Sequence, residues 1–120
     1  MSFSANTRKV GDVVIVDMSG ELTIGEPTLL LRETIRRFVG DGNLKFILNL
    51  GKVTYIDSVG LGELITTYTT IRNRQGDVKL LKLTARAKDL LQMTKLLTVF
   101  DAYDDEQKAL AALSSAATHG

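Results

Sequence analysis

A chain of 120 residues with 44% apolar and 24% charged side chains has the size and composition of one ordinary globular domain, which excludes disordered and fibrous classes and leaves no room for two independent cores. Its 15 basic residues nearly balance its 14 acidic ones, for a net charge of +1, and they are interspersed rather than gathered into an arm, so no direct nucleic-acid partner is expected. No apolar run approaches the roughly 18 residues of a membrane span, the polar start Met1 to Lys9 lacks the centre of a secretion signal, and cysteine is absent; the expected location is the cytoplasm, with no membrane partner, disulfide or thiolate-bound metal.

The first strong element is Val13-Val14-Ile15-Val16-Asp17-Met18, β-branched and nearly continuous in apolar character, which reads as a strand covered on both faces. Phe3 to Thr7 can pair beside it. After Gly20, Pro27 suits a first helical turn with Gly25 or Glu26 as the cap. Leu30, Leu31, Thr34, Ile35 and Phe38 then share one helical face, and Gly40-Asp41-Gly42 ends the helix. Phe46 to Leu50 is a second buried strand, completing a strand, helix, strand unit of the length a parallel crossover needs.

A second helix is expected from about Ser58 to Arg74, because Leu61, Leu64, Ile65, Tyr68 and Ile71 recur at offsets of three and four. Val78 to Leu81 is a third strand. Thr84 reads as the N-cap of a third helix with Leu90, Leu91 and Met93 inward. Val99 to Tyr103 reads as a fourth central strand, and the capping-box spacing of Asp104 and Gln107 starts a last helix that carries Ala109, Leu110 and Leu113 toward the core. The expected architecture is therefore α/β, one domain over residues 1–113 with a mixed, largely parallel sheet of four or five strands and about four helices, followed by a flexible tail over 114–120.

Chemistry concentrates where the strand ending near Leu50 leads, through Gly51 to Ile56, into Asp57-Ser58-Val59-Gly60-Leu61-Gly62. A serine before a helix satisfies an exposed N–H two or three positions on, so capping is one sufficient reason for Ser58, and Asp57 can be a second acceptor at the helix end. Gly60 and Gly62 cost the helix about 1 kcal/mol each relative to alanine. Either the helix packs closely on the sheet there, or another protein must approach the Ser58 hydroxyl.

At this point the sequence resembles the anti-sigma factor antagonists of the STAS fold. The resemblance runs over nearly the whole chain and rests on Gly20-Glu21-Leu22, on Leu48-Asn49-Leu50, and above all on Tyr55-Ile56-Asp57-Ser58-Val59-Gly60-Leu61-Gly62. Val78 to Leu81 and Leu90 to Leu97 resemble the later part of that family. The resemblance implies that Ser58 is a phosphorylation site and that Asp57, Ser58, Val59, Gly60, Gly62, Glu21 and Thr23 form the partner surface. It also implies that the unphosphorylated protein binds an anti-sigma factor serine kinase and frees a sigma factor, that the kinase phosphorylates Ser58 from ATP, and that a serine phosphatase reverses this. Two departures stand out. Family members often carry aspartate where this chain has Thr23, and many carry a hydroxyl residue where it has Val59.

Rival readings are weaker on chemical grounds. A hydrolase using Ser58 lacks a base, since His119 is the only histidine, and lacks the elbow glycine, where Ile56 stands. No metal or other cofactor is expected, because Asp104 and Asp105 are explained as helix-start residues. The Gly60 and Gly62 pair before a helix leaves weak nucleotide binding open, without the Lys-Ser/Thr ending or third glycine of a dedicated motif. A scaffold role in a larger sensory assembly of the same family is the remaining alternative.

Overall fold

The hairpin that opens the chain is longer than the apolar pattern implies. In the computed structural model, which describes residues 2–118 and side-chain surroundings as far as Ser114, strand β1 (Phe3–Val10) pairs antiparallel with β2 (Val13–Leu22) from Phe3 opposite Gly20 to Val10 opposite Val13. Arg8 and Lys9 break the apolar pattern but not the backbone ladder. Gly11, at φ +62, is the first of the two turn residues, where a hairpin loop matching the strand twist needs a positive φ.

Helix α1 (Glu26–Gly40) crosses to β3 (Lys45–Ile56), α2 (Ser58–Asn73) crosses to β4 (Asp77–Leu81), and α3 (Ala85–Met93) leads through a single 3₁₀ turn, Leu96–Thr98, to β5 (Ala102–Tyr103) and α4 (Glu106–Thr118). The strands lie in the order β1-β2-β3-β4-β5, with only the first pair antiparallel. This is the mixed, largely parallel five-stranded sheet with four helices that the sequence implies.

Strand alternation divides the core between two layers. Val14, Val16, Met18, Phe46, Leu48, Val78 and Leu80 face Leu31, Ile35, Leu64, Ile71 and Leu91 of α1, α2 and α3. Val13, Ile15, Ile47 and Leu81 turn the other way, against Ala109 and Leu113 of α4. Burial on both faces is why the central strands carry no polar alternation. An ion network also ties the hairpin to α4: Arg8 donates to Asp17 at 2.7 Å and to Glu106 at 2.6 Å, and Asn49 donates to Asp17 at 2.8 Å.

Four expectations need correction. The segment from Val99 is not a central strand, because only Ala102–Tyr103 pair, at the sheet edge. Val99 is exposed, while Phe100 leaves the strand path to plug the helical layer, edge-on to Tyr68 with ring centroids 5.2 Å apart. Met93 is 81% exposed rather than inward, since with Leu91 buried a residue two positions on lies about 200° around the helix. Leu30 and Ile65 sit at the edges of their helices' apolar faces and are exposed. The last helix takes its cap acceptor from Asp105, whose Oδ1 receives the Gln107 N–H at 3.0 Å, one residue later than the capping-box spacing suggests. Helix α4 carries the backbone past Ser114 to Thr118; His119 and Gly120, the end of the expected tail, lie outside the described residues.

Candidate functional site

Strand β3 reaches the site by outrunning its neighbour. It has 12 residues, but β4 pairs with it only from Lys45 to Asn49, so Leu50 to Ile56 continue beside β2 alone. Its register against β2 slips twice, between Asn49 and Lys52 and between Val53 and Tyr55, each time by one extra β3 residue. Such bulges re-aim a strand end. Here they bring Glu21 opposite Tyr55 and Leu22 opposite Ile56, so the ends of β2 and β3 rise side by side at the carboxyl edge of the parallel sheet, where open α/β sheets place their sites.

Asp57 joins these two ends. Its backbone is extended, and it, rather than Ser58, is the N-cap of α2. Carboxylate Oδ1 accepts from the Gly60 N–H at 2.7 Å and Oδ2 from the Ile24 N–H at 2.9 Å. Its own N–H donates to the Leu22 carbonyl at 3.3 Å, and its carbonyl accepts from the Leu61 N–H at 2.9 Å. One side chain thus closes α2 and pins the turn between β2 and α1. The amides of Ile24, Gly60 and Val59, in that order, hold the Asp57 carboxyl below its usual range, against a smaller opposing effect of desolvation. The sequence reading of Ser58 as the cap is therefore corrected. Aspartate and serine both cap well, and only the position of the first helical turn decides between them.

Freed from that duty, Ser58 is the first residue of α2 and is exposed. Val59 beside it is 40% exposed. The two glycines separate into the two accounts that the sequence leaves open. A Cβ on Gly60 would lie 2.1 Å from the Leu22 carbonyl oxygen, so Gly60 is there for close packing of α2 on β2. A Cβ on Gly62 would meet nothing within 4 Å. Of the other candidates, Glu21 and Thr23 are half-buried, Glu21 at the end of β2 and Thr23 in the turn that Asp57 holds, so all seven candidate residues gather at one edge of the sheet.

Two features of this edge were not singled out in the sequence. Ile24, an apolar residue between Thr23 and Gly25 in the turn, is 69% exposed; its place in a turn rather than a periodic run was the available signal. A groove of about 320 Å³ also runs between the end of β3 and α3, lined by Val53, Ile56, Ala87, Leu90 and Met93, with the Arg86 guanidinium 6.0 Å from the Tyr55 ring centre. It exists because β4 stops short, which no local pattern announces. Among the described residues no group of histidine and acidic side chains could hold a metal ion, and no helix is long and apolar enough to cross a membrane.

The sheet order and its helices agree with comparisons to known proteins. Residues 4–109 match the family model described as STAS domain. The chain belongs to the STAS family. An anti-sigma F factor antagonist of Paenibacillus polymyxa is 30% identical over 104 residues, covering 84% of this chain and 86% of that protein. A crystal structure from Thermotoga maritima superposes with a TM-score of 0.85 at 27% identity, over 92% of this chain and 94% of that one. The Bacillus cell fate determinant SpoIIAA, solved in its phosphorylated form, has a TM-score of 0.73 at 19% identity, over 91% of this chain and 98% of that one, a likeness of fold. The matched residues, 4–109, include the whole sheet from Ser4 onward and the β3–α2 junction.

Proposed function

We propose that this STAS domain is an anti-sigma factor antagonist controlled by phosphorylation of Ser58. The observation that carries the reading is the division of labour at the head of α2: Asp57 does the capping, so the Ser58 side chain stands exposed at a helix start with no structural duty to give up. The anti-sigma F factor antagonist name of the 30% identical relative supports the same role.

In this account the unphosphorylated surface of Asp57, Ser58, Val59, Gly62, Glu21 and Thr23, without Gly60, which is buried against Leu22, binds an anti-sigma factor serine kinase, and the sigma factor held by that kinase is released. The kinase ends the interaction by phosphoryl transfer. Ser58 Oγ attacks the γ-phosphorus of ATP, a new O–P bond forms as the bond to the β,γ-bridging oxygen breaks, ADP leaves, and the hydroxyl proton passes to a base on the kinase. A serine phosphatase hydrolyses the ester and restores the binding form.

The geometry explains why the phosphate would act at the interface and not on the fold. It adds about −1.5 to −2 charges and three acceptor oxygens. The helix dipole favours an anion at this end, but Asp57 already takes the Gly60 N–H with one oxygen and the Leu61 N–H with its carbonyl. The new dianion therefore stands beside an ionised carboxylate and points outward. A partner surface shaped for a bare hydroxyl meets bulk, repulsion and a desolvation cost.

A hydrolytic role for Ser58 finds little support, because the sequence offers no histidine but His119 and the backbone amides of Ile24 and Gly60 hold the Asp57 carboxyl below its usual range, which makes it a weak base. The nucleotide reading loses Gly60 to packing against Leu22. Incubating wild type and Ser58→Ala with the cognate kinase and ATP, followed by intact-mass measurement, tests the proposal. One added phosphate on wild type and none on Ser58→Ala is expected; equal single phosphorylation of both places the acceptor elsewhere.

A further inference from the structure

A second groove, of about 190 Å³, lies between α1 and α2, lined in part by Arg32, Ile35, Arg36, Glu63 and Thr67. Its polar groups are only partly used. The Glu63 side chain is 4% exposed, and Arg32 pairs with it in a one-sided way: Nε and Nη2 both donate to Oε1, at 3.1 and 2.8 Å, and Oε2 takes neither bond. Thr67, one turn further along α2, is buried, and its hydroxyl has no partner among the described residues. The buried threonines of α1 behave differently: Thr28 and Thr34 donate to the Gly25 and Leu30 carbonyls at 3.0 and 2.8 Å, the usual outlet in a helix. Arg36, one turn after Arg32 and exposed, forms no ion pair among the described residues.

A buried hydroxyl left without a partner calls for an explanation, and the charges around this one narrow what can supply it. A simple anion in the groove would face Glu63, and a simple cation would face two arginines; like-charge contact opposes both. A small molecule that carries both signs on neighbouring atoms meets neither penalty. We infer that the groove binds a free α-amino acid as its zwitterion, with the carboxylate on the Arg36 guanidinium and the ammonium donating to Glu63 Oε2 and to the Thr67 hydroxyl oxygen. Ile35 supplies the apolar contact for the ligand's side chain. The inference is independent of the reading of Ser58, since no residue of that site lines this groove.

The test follows backbone amide resonances of the full chain by NMR while L-alanine, L-serine, L-valine or L-aspartate is added, with propionate and ethylammonium as probes that carry one charge each. At least one amino acid should bind with a Kd of about 1 mM or tighter, shifting the amides around Arg36 and Thr67, and each single-charge probe should bind at least about tenfold more weakly. Arg36→Ala should weaken the amino acid at least about tenfold and Thr67→Val about threefold. Because Thr67→Val exchanges an unpartnered buried hydroxyl for a methyl of the same shape, the free variant should melt no lower than wild type, which separates its loss of affinity from any loss of fold. If none of the four amino acids shifts these amides at about 20 mM, twenty times the expected Kd, the site is overturned. Propionate binding as tightly as the amino acid, or unchanged affinity in both Arg36→Ala and Thr67→Val, overturns it as well.

Discussion

Replacing Asp57 tests the clamp on which the site is built. Asp57→Ala removes the acceptor of the Gly60 N–H and the acceptor of the Ile24 N–H together. Loss of an aspartate N-cap costs about 0.5–2 kcal/mol. The Ile24 amide lies in an exposed turn where water can replace the lost acceptor, so its bond adds at most about 1 kcal/mol more. A total near 2 kcal/mol should lower the melting temperature by roughly 8 °C for a domain of this size. Asp57→Asn separates the two roles. Asparagine caps as well as aspartate, but its second terminal atom is an NH₂ donor facing the Ile24 N–H, so the cap survives and the bridge breaks. Native-state hydrogen exchange reads the difference directly: the Ile24 amide should lose protection in both variants, while the Gly60 amide loses it only in Asp57→Ala. The pH dependence has a defined sign. Because the folded carboxyl lies below its ordinary value, its contribution is fully present above the unfolded carboxyl pKa, about 4, and disappears as pH falls through the depressed folded value. A melting temperature for Asp57→Ala within about 1 °C of wild type, with the Ile24 amide still protected, would refute the clamp.

The two glycines of α2 should respond in opposite directions. Gly60→Ala forces a methyl to within 2.1 Å of the Leu22 carbonyl oxygen unless the helix moves, and should destabilise by about 1–3 kcal/mol; Gly62→Ala meets open space and should stabilise by up to about 1 kcal/mol through helix propensity, both measured by urea unfolding. Arg8→Ala should cost about 0.5–1 kcal/mol at neutral pH, a modest figure because the network with Asp17 and Glu106 is largely exposed and screened. Arg8 holds both carboxyls below their usual range, so the difference between Arg8→Ala and wild type should shrink as pH falls below about 4 and vanish once both carboxyls are protonated; a difference that grows in acid would contradict the assignment.

The layers of the fold were legible because local periodicity and tertiary burial agree. The unbroken apolar character of Val13 to Val16 and of Phe46 to Leu48 reports burial on both faces of central strands, and the helical spacing of Leu61, Leu64, Tyr68 and Ile71 survives two glycines. The extent of β3 was not legible. Gly51 and Lys52 look like a loop, and only the pairing with β2 through two bulges keeps the strand going to Ile56. Phe100 misled for the opposite reason, since an aromatic after valine reads as a strand while its burial comes from a contact with Tyr68 in α2. At the site, the junction of β3 and α2 was legible but the cap was assigned to Ser58 and not to Asp57, because these are adjacent residues that cap equally well and differ only in where the first turn begins. The separate reasons for Gly60 and Gly62 depend on the distance to Leu22, a residue 38 positions earlier than Gly60 in the chain, and no local pattern carries that.

The most direct test of the central claim is a calorimetric titration of the cognate serine kinase with the wild-type chain, the Ser58-phosphorylated chain and Ser58→Asp. A charge desolvated beside Asp57 should weaken binding by at least about tenfold, or 1.4 kcal/mol, in both modified forms. Their melting temperatures should stay close to that of wild type, because Asp57 continues to cap α2. Equal affinity of all three forms would contradict the account and leave Ser58 as an exposed residue at the start of a helix.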